Sequence, residues 1–414
     1  MAMKMNPASR ILAVYLVIVL LLNFALAATA SQRVVAVGDV HGAYEELLTI
    51  LQRTGLIDGN RQWKGGSAIL VQTGDLVDRG PRIRECLDLI IDLERQAGKN
   101  RGKVIPLLGN HEAMNVMGDL RYVTAEIYRS FATAQSEKVR ERAYRSYREF
   151  LAAHRGHSHP EVADDDATRQ RWMEEHPLGF FEYRDAFSPK GKYGRWVRQH
   201  RVVVQIGDGL FVHAGLSPML QFRTVAELDT QARSELANFD SIWQSLSDKK
   251  VIWRYMKLEE ALLQVVEELK WIKTLGYVED LEAAQQMQSL LGYQEWKAVS
   301  ENGPLWYRGL AQEPEDKLMG PLTELLTRLK ARYVVSGHTT QSVFDIQPRF
   351  DNRVFLIDTG MLKEAYQGRA SALEIQNGQF TAYYADGEPK ILGSPAGGGA
   401  LPDSRELRNR LELQ

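Results

Sequence analysis

Five short loops of the sequence combine glycine with carboxylate, amide or imidazole side chains. Three lie close together near the N-terminal end and two lie far downstream. The loops are residues 38–42, 74–80, 109–112, 212–215 and 336–339. Mixed oxygen and nitrogen donors of these kinds suit Mn, Fe or Zn better than Ca or Mg. The loops therefore predict a site for divalent transition-metal ions.

The spacing within the loops supports this prediction. Asp39 and His41 are two residues apart on an extended segment, so their side chains point to the same side. Asp75 follows the next apolar segment, and its two carboxylate oxygens could bridge two ions. The candidate metal ligands are Asp39, His41, Asp75, Asn110, His213 and His338.

Each loop follows an apolar run with the length of a buried strand. The predicted strands are residues 33–37, 68–72, 104–108, 202–206, 210–213, 333–335 and 354–357, with a final pair within 371–385. Helical periodicity lies between the first strands, for example from about residue 82 to residue 97. This alternation predicts an α/β fold in which the loops gather at the carboxyl ends of the strands.

Two stretches interrupt the alternation with mainly helical sequence, at about residues 116–198 and 224–300. We predict one catalytic domain, residues 31–386, that carries both stretches as insertions. Glycine and proline are frequent from Gly387 to Pro402. Residues 387–414 are therefore predicted to form a linker and a C-terminal tail.

Composition and charge exclude several classes of protein. The chain has 414 residues and a formal net charge of −2, so no overall positive field attracts nucleic acid and we expect no nucleic-acid partner. Its single cysteine, Cys86, excludes an intramolecular disulfide and a cysteine-rich zinc site. Cys86 has helical core spacing, which indicates a buried thiol.

The N-terminal residues 1–30 have the pattern of an export signal. Lys4 and Arg10 precede an apolar run over residues 11–28, and residues 28–30 place small side chains where a signal peptidase cleaves. We expect an exported, periplasmic protein whose mature chain begins near Ser31. The apolar run is also long enough to span a bilayer. The alternative is an uncleaved membrane anchor, which is the only part of the chain expected to contact a membrane.

The motifs resemble those of the calcineurin-like metallophosphoesterases, and more narrowly their phosphoprotein-phosphatase branch. The matching motifs are Asp-x-His-Gly from Asp39, Gly-Asp-x-Val-Asp-Arg-Gly from Gly74, Gly-Asn-His-Glu from Gly109, His-Ala-Gly from His213 and a late Gly-His at Gly337. Residues 187–196, 303–308 and 337–341 further resemble the Shewanella-like phosphatases. The resemblance implies two central mixed β-sheets flanked by helices, here with the two helical insertions.

The resemblance also implies two divalent metal ions that share Asp75. Asp39 and His41 would complete the first site. The second site would comprise Asn110, His213 and His338. Mn is the expected metal, with Fe or Zn as alternatives.

Substrate-handling roles follow from the same resemblance. His111, held by Asp78, would act as the general acid, and Arg79 would bind phosphate oxygens. Arg308 is the candidate for a second phosphate-binding arginine. Glu112 would orient a metal ligand or His111.

The implied function is hydrolysis of phosphate monoesters by direct attack of a hydroxide that bridges the metal ions. The substrate would be a protein phosphorylated on serine, threonine or tyrosine, or a small phosphate ester. One alternative is a dinucleoside polyphosphate hydrolase on the same fold, although such enzymes usually lack the acid found at Asp78. The other is a membrane-tethered binding protein without activity, but the sequence retains every expected ligand.

Overall fold

The computed structural model describes residues 32–154 and 165–395. The predicted signal or anchor segment and the tail beyond residue 395 lie outside these ranges. Within the described ranges, no helix has the length and apolar character needed to cross a membrane.

Strands and helices alternate in the first part of the described chain, as the sequence predicts. The strands are β1 (Val34–Val37), β2 (Ile69–Gln72), β3 (Lys103–Pro106), β4 (Val203–Ile206), β5 (Gly209–Val212), β6 (Tyr333–Ser336), β7 (Gln347–Arg349), β8 (Val354–Leu356), β9 (Ser371–Gln376), β10 (Gln379–Tyr384) and β11 (Lys390–Leu392). The helices are α1 (Tyr44–Arg53), α2 (Ile83–Lys99), α3 (Asn110–Met117), α4 (Ala125–Phe131), α5 (Ser136–Ala153), α6 (Asp166–Glu175), α7 (Phe180–Phe187), α8 (Lys192–Val197), α9 (Val225–Asp248), α10 (Leu258–Leu275), α11 (Leu281–Leu291), α12 (Gly309–Gln312), α13 (Glu315–Leu329) and α14 (Lys363–Tyr366).

The strands form two mixed sheets. The first has six strands in the order β11-β10-β9-β1-β2-β3, and the second has five in the order β4-β5-β6-β8-β7. In each sheet the strands that precede the candidate ligands are parallel: β1, β2 and β3 in the first, and β5 and β6 in the second. The predicted α/β fold with two mixed sheets is confirmed.

The two sheets pack face to face through apolar side chains. Phe355 of β8 stacks on Phe380 of β10 with ring centroids 4.5 Å apart, and Val71 and Phe211 belong to the same buried cluster. Each phenylalanine side chain buried in this way stabilises the fold by about 1.5–3 kcal/mol. This packing places the carboxyl ends of the two parallel strand sets beside one another.

Helices outside the sheets occupy the two predicted insertion regions. Helices α4 to α8 lie within residues 116–198, and α9 to α11 lie within residues 224–300. Helix α7 packs against α4 and α5 through its aromatic face, because Phe180, Tyr183 and Phe187 recur at helical spacing and are buried.

Two short strands were not predicted. Strand β7 pairs with β8 at one edge of the second sheet. Strand β11 pairs with β10 at an edge of the first sheet, inside the stretch that composition assigns to the linker. The ordered sheet thus extends to Leu392, beyond the predicted boundary at residue 386.

Candidate metal centre and active site

The candidate ligands follow parallel strands of both sheets. Those from the first sheet are Asp39, His41, Asp75 and Asn110, and those from the second are His213 and His338. All of these side chains are buried. The loops that carry them meet where the two sheets pack together, so the structure brings the predicted residues to one centre.

The Asp75 carboxylate lies at the middle of this centre. Its Oδ2 atom is 3.6 Å from His41 Nε2, 3.9 Å from His111 Nε2 and 3.5 Å from His213 Nε2. Two sets of side chains with the geometry to hold a metal ion share Asp75. The sets are His41, Asp75 and His111, and Asp75, His213 and His338.

Oxygen and nitrogen atoms converge around the second set, where a bound cation would satisfy their lone pairs together. His213 Nδ1–H donates to the Thr73 carbonyl at 2.9 Å, which leaves Nε2 as an unprotonated acceptor in the neutral ring. This Nε2 faces Asn110 Oδ1 at 2.8 Å and His338 Nδ1 at 3.1 Å. Asp75 Oδ2 approaches the same atom, so oxygen and nitrogen lone pairs converge on one point. The donor set fits a transition-metal ion.

His41 is oriented in the same way. Its Nδ1–H donates to the Val77 carbonyl at 2.8 Å, so its Nε2 lone pair points at Asp75. A backbone carbonyl thus fixes the tautomer of each of these two imidazoles, His41 and His213, as is usual for histidines that bind metal.

Asp39 lies outside the set around His41, which contains Asp75 and His111, and its role as a metal ligand stays a prediction. The Asp39 carboxylate accepts the backbone N–H of His338 at 3.0 Å and 3.1 Å. It therefore joins the loop after β1 to the loop after β6 and lies beside the centre.

Burial shifts the pKa values of the charged groups toward their neutral forms. It raises the pKa of Asp39 and Asp75 well above the ordinary range, and neighbouring carboxylates add to both shifts. Burial also lowers the pKa of His213 to about 3 and lowers that of His41 in the same direction. Neutral imidazoles and crowded carboxylates are the combination that a divalent cation stabilises.

The loops at the centre hold strained backbone. Positive φ angles occur at His41 (49°), Asp75 (61°), Asp78 (69°), Arg79 (66°) and His338 (66°). Left-handed conformations cost side-chain-bearing residues about 1–3 kcal/mol each and concentrate at functional sites. The surrounding contacts must therefore hold these loops in place.

Glu112 supplies several of those contacts. Its carboxylate accepts the backbone N–H groups of Asp75 at 2.8 Å, Leu76 at 2.7 Å and Gly109 at 2.9 Å. The side chain is buried, and it ties the loop after β2 to the start of α3. The orienting role expected for Glu112 thus has a specific geometry: its carboxylate holds the backbone around the candidate ligands Asp75 and Asn110.

Replacing Glu112 by glutamine is expected to lower the free energy of unfolding by about 2–3 kcal/mol. The glutamine NH₂ group would take the place of a carboxylate oxygen, so at least one backbone N–H would lose its acceptor and face another donor. Urea titration of the metal-free protein measures this loss apart from any effect on metal affinity. The control is Glu301→Gln, which changes an exposed carboxylate and is expected to stay within about 0.5 kcal/mol of the parent protein. A Glu112→Gln protein as stable as the control would contradict the role.

The profile of the calcineurin-like phosphoesterase family matches residues 32–342, a span that includes every candidate ligand. The chain belongs to the calcineurin-like phosphoesterase family. The family predicted from the motifs is therefore confirmed. Membership of this family, together with the two sets of histidine and aspartate side chains, indicates that the protein is a hydrolase of phosphate esters with a site for divalent metal.

Similar proteins include members of the Shewanella-like group. An uncharacterized protein of Schizosaccharomyces pombe is 29% identical over 349 residues, which cover 83% of this chain and 76% of that protein. Shewanella-like protein phosphatase 1 of Plasmodium berghei is 23% identical over 335 residues, which cover 80% of this chain and 67% of that protein. The cold-active protein-tyrosine phosphatase of a psychrophilic Shewanella species has the same fold, with a TM-score of 0.54, 23% identity and coverage of 87% of this chain and 80% of that one.

Two arginines lie beside the metal centre of this phosphoesterase. The Arg79 guanidinium lies over the ring of Tyr122 at 4.7 Å and near that of Tyr366 at 5.4 Å. The exposed Arg308 donates to the carbonyl of His338 at 3.0 Å and to Thr339 Oγ1 at 3.1 Å. The structure therefore brings both predicted phosphate-binding arginines to the centre.

Asp358 of the phosphoesterase was missed by the sequence reasoning. It is buried just after β8, where it accepts Thr340 Oγ1–H at 2.8 Å and the backbone N–H of Gly360 at 3.0 Å. Its charge contributes to the raised pKa of Asp39. The pattern Ile-Asp-Thr-Gly from Ile357 was the available signal, since an acid and a glycine follow an apolar strand there as well.

A large cavity of the phosphoesterase lies away from this centre. It has a volume of about 810 Å³ and lies between the helical insertions, with Arg184, Phe239, Trp243 and Trp253 in its lining. None of the candidate metal ligands borders it. This cavity and the Asp75 centre are therefore separate features of the described structure.

Proposed function

We propose that the protein is a dinuclear-metal phosphatase that hydrolyses phosphate monoesters, with phosphoproteins as the favoured substrates. The observation that carries the proposal is the pair of buried ligand sets that share Asp75. Shared carboxylates of this kind hold two metal ions in hydrolases that act by in-line displacement.

Asp39, His41 and Asp75 would hold one ion, and Asn110, His213 and His338 would join Asp75 around the other. When bound, two divalent ions would lower the pKa of a water nucleophile and neutralise the charge of the phosphate. Mn is the first choice for reconstitution, with Fe or Zn as alternatives.

His111 is assigned the role of proton donor. Its Nδ1–H donates to Asp78 Oδ2 at 2.6 Å, so the ring is held by a buried carboxylate. The opposite nitrogen, Nε2, points toward the Asp75 centre, 3.9 Å from Asp75 Oδ2. Because Nδ1–H is donated to Asp78, Nε2 carries a proton only when the ring is doubly protonated, and burial opposes that form by lowering the pKa of His111 to about 3. In the doubly protonated ring the Nε2 proton would face the leaving oxygen of a phosphate ester bound there.

Arg79 and Arg308 would bind the phosphate oxygens. Both guanidinium groups lie beside the centre, and neither makes an ion pair within the described residues. Forked guanidinium donors suit the oxygens of a phosphoryl group better than a lysine does.

The second candidate function is hydrolysis of dinucleoside polyphosphates. The contact between Asp78 and His111 favours monoesters, because it equips the site to protonate a poor alkoxide or phenolate leaving group. The nucleotide released from a dinucleoside polyphosphate leaves through a phosphate oxygen, which needs less help of this kind.

The decisive experiment compares specificity constants on metal-reconstituted protein. We expect kcat/KM for p-nitrophenyl phosphate and for phosphoserine, phosphothreonine or phosphotyrosine peptides to exceed that for diadenosine tetraphosphate by about 10²-fold or more. Protein treated with a chelator serves as the control for contaminating phosphatases. A preference for the dinucleotide would overturn the assignment, and activity on neither class would favour a binding protein without catalysis.

A further inference from the structure

A chain of buried hydrogen bonds connects the first helical insertion to His111. The Tyr183 hydroxyl donates to Asn115 Oδ1. Asn115 Nδ2–H donates to Asp78 Oδ1 at 2.9 Å, and Asp78 Oδ2 accepts His111 Nδ1–H at 2.6 Å. Tyr183 and Asp78 are fully buried, and the other two side chains are at most 4% exposed.

The Asn115 amide has one orientation that satisfies every neighbour. Its two N–H groups donate to Asp78 Oδ1 and to the His111 carbonyl, the latter at 2.8 Å. Its oxygen must then find a donor, and the Tyr183 hydroxyl is that donor. Burial raises the pKa of Tyr183, so the phenol keeps its proton. In the flipped orientation the amide oxygen would face the Asp78 carboxylate, with repulsion between them.

The hydroxyl itself is held rigidly. The Tyr183 ring packs edge-on against Phe131 at 4.9 Å and against Tyr128 at 5.4 Å, and it lies 4.7 Å from Phe187. Helices α4 and α7 supply these rings, so the insertion fixes the position of a single oxygen atom. Aromatic packing remains when tyrosine is changed to phenylalanine, and only the hydrogen bond is lost.

The conformation of Asp78 depends on its hydrogen bond with Asn115. Its backbone has a φ of 69°, a strained conformation that neighbouring contacts must maintain. Asn115 occupies Oδ1 and leaves Oδ2 to His111, which sets the rotation of the imidazole and aims Nε2 at the centre. An error of about 1 Å in such an alignment can cost about 10²-fold in rate.

We propose that Tyr183 is a positioning residue, which acts through Asn115 to orient the Asp78–His111 pair. The first insertion would therefore contribute to catalysis as well as to the packing of the fold. The inference rests on the proposed function, in which His111 protonates the leaving group.

The test is Tyr183→Phe, assayed with alkyl phosphates and with p-nitrophenyl phosphate on metal-reconstituted protein. We expect kcat on alkyl phosphates to fall by about 5- to 50-fold, below the effect of removing the general acid itself. The fall on p-nitrophenyl phosphate should be about 2-fold or less, because that leaving group needs little protonation. Metal content and KM should not change.

Tyr128→Phe is the matched control. It removes a hydroxyl from the same aromatic cluster, outside the chain of hydrogen bonds described above, and it should leave both activities unchanged. Equal losses on the two substrates for Tyr183→Phe would indicate general damage and overturn the inference, as would an unchanged rate on alkyl phosphates.

A double-mutant cycle separates this inference from the proposed function. In a His111→Ala background, Tyr183→Phe should cause no further loss on alkyl phosphates, because both changes act on the same proton transfer. Additive losses would contradict the positioning role. If His111→Ala itself shows no dependence on the leaving group, the proposed role of His111 fails, and the Tyr183 inference fails with it.

Discussion

Replacing Asp75 by asparagine is expected to lower turnover by about 10³-fold or more and to weaken both metal positions together. Asp75 belongs to both ligand sets, and its Oδ2 atom faces three imidazole nitrogens. Asparagine keeps the shape but removes the negative charge and one of the two oxygens that can bind metal. In the parent protein the Asp75 carboxylate also accepts the backbone N–H of His111 at 3.0 Å. The substitution therefore removes a charged acceptor from the start of α3 as well.

Elemental analysis after Mn loading measures the effect directly. The parent protein should retain close to two equivalents of metal, and Asp75→Asn should retain clearly less than one. Asp316→Asn serves as the control, because it makes the same chemical change at an exposed position. Fully active parent protein with one equivalent or less would contradict the dinuclear proposal, and Asp75→Asn with undiminished metal would contradict the shared ligand.

The main strands could be predicted from sequence because each is a short apolar run between turn residues. Val34–Val37 is buried throughout, and its parallel pairing with β2 sets where Asp39 and Asp75 emerge. Strand β7 was missed because Gln347–Arg349 is a half-buried edge segment with no apolar run. Strand β11 was missed because its local composition predicts a linker. It forms a strand by pairing with β10 at the edge of the folded sheet, and that pairing is not visible in the local sequence.

The site could be predicted loop by loop, but its internal grouping could not. Strand-end position predicted that the loops would gather, and the structure places Asp75 and His213 of two such loops 3.5 Å apart. It gave no distances, so it could not reveal that Asp39 bonds the backbone of His338. Aromatic residues in helical segments usually indicate core packing. That holds for the ring of Tyr183, whereas its hydroxyl contacts Asn115, a long-range relation that no local pattern contains.

His111→Ala is expected to lower turnover on alkyl phosphates by about 10²–10⁴-fold, the range for loss of a general acid. The loss on p-nitrophenyl phosphate should be much smaller, because nitrophenolate is a weak base and leaves without a proton. Both bound metal ions should remain. Steady-state kinetics on the two substrate types, with metal analysis of the same preparation, measure all three quantities.

Metal analysis matters here because the geometry of His111 permits two roles. Its Nε2 atom lies in the set with His41 and Asp75, which is the position of a ligand. Its Nδ1–H donates to Asp78. Burial lowers the pKa of His111 to about 3, so a positively charged imidazole at this position depends on its carboxylate partner. A ligand role predicts lost metal and equal losses on both substrates, and that result would contradict the acid role. An acid role predicts one more result: added imidazole should enter the space vacated in His111→Ala and restore alkyl phosphate turnover in part, with no effect on the parent protein.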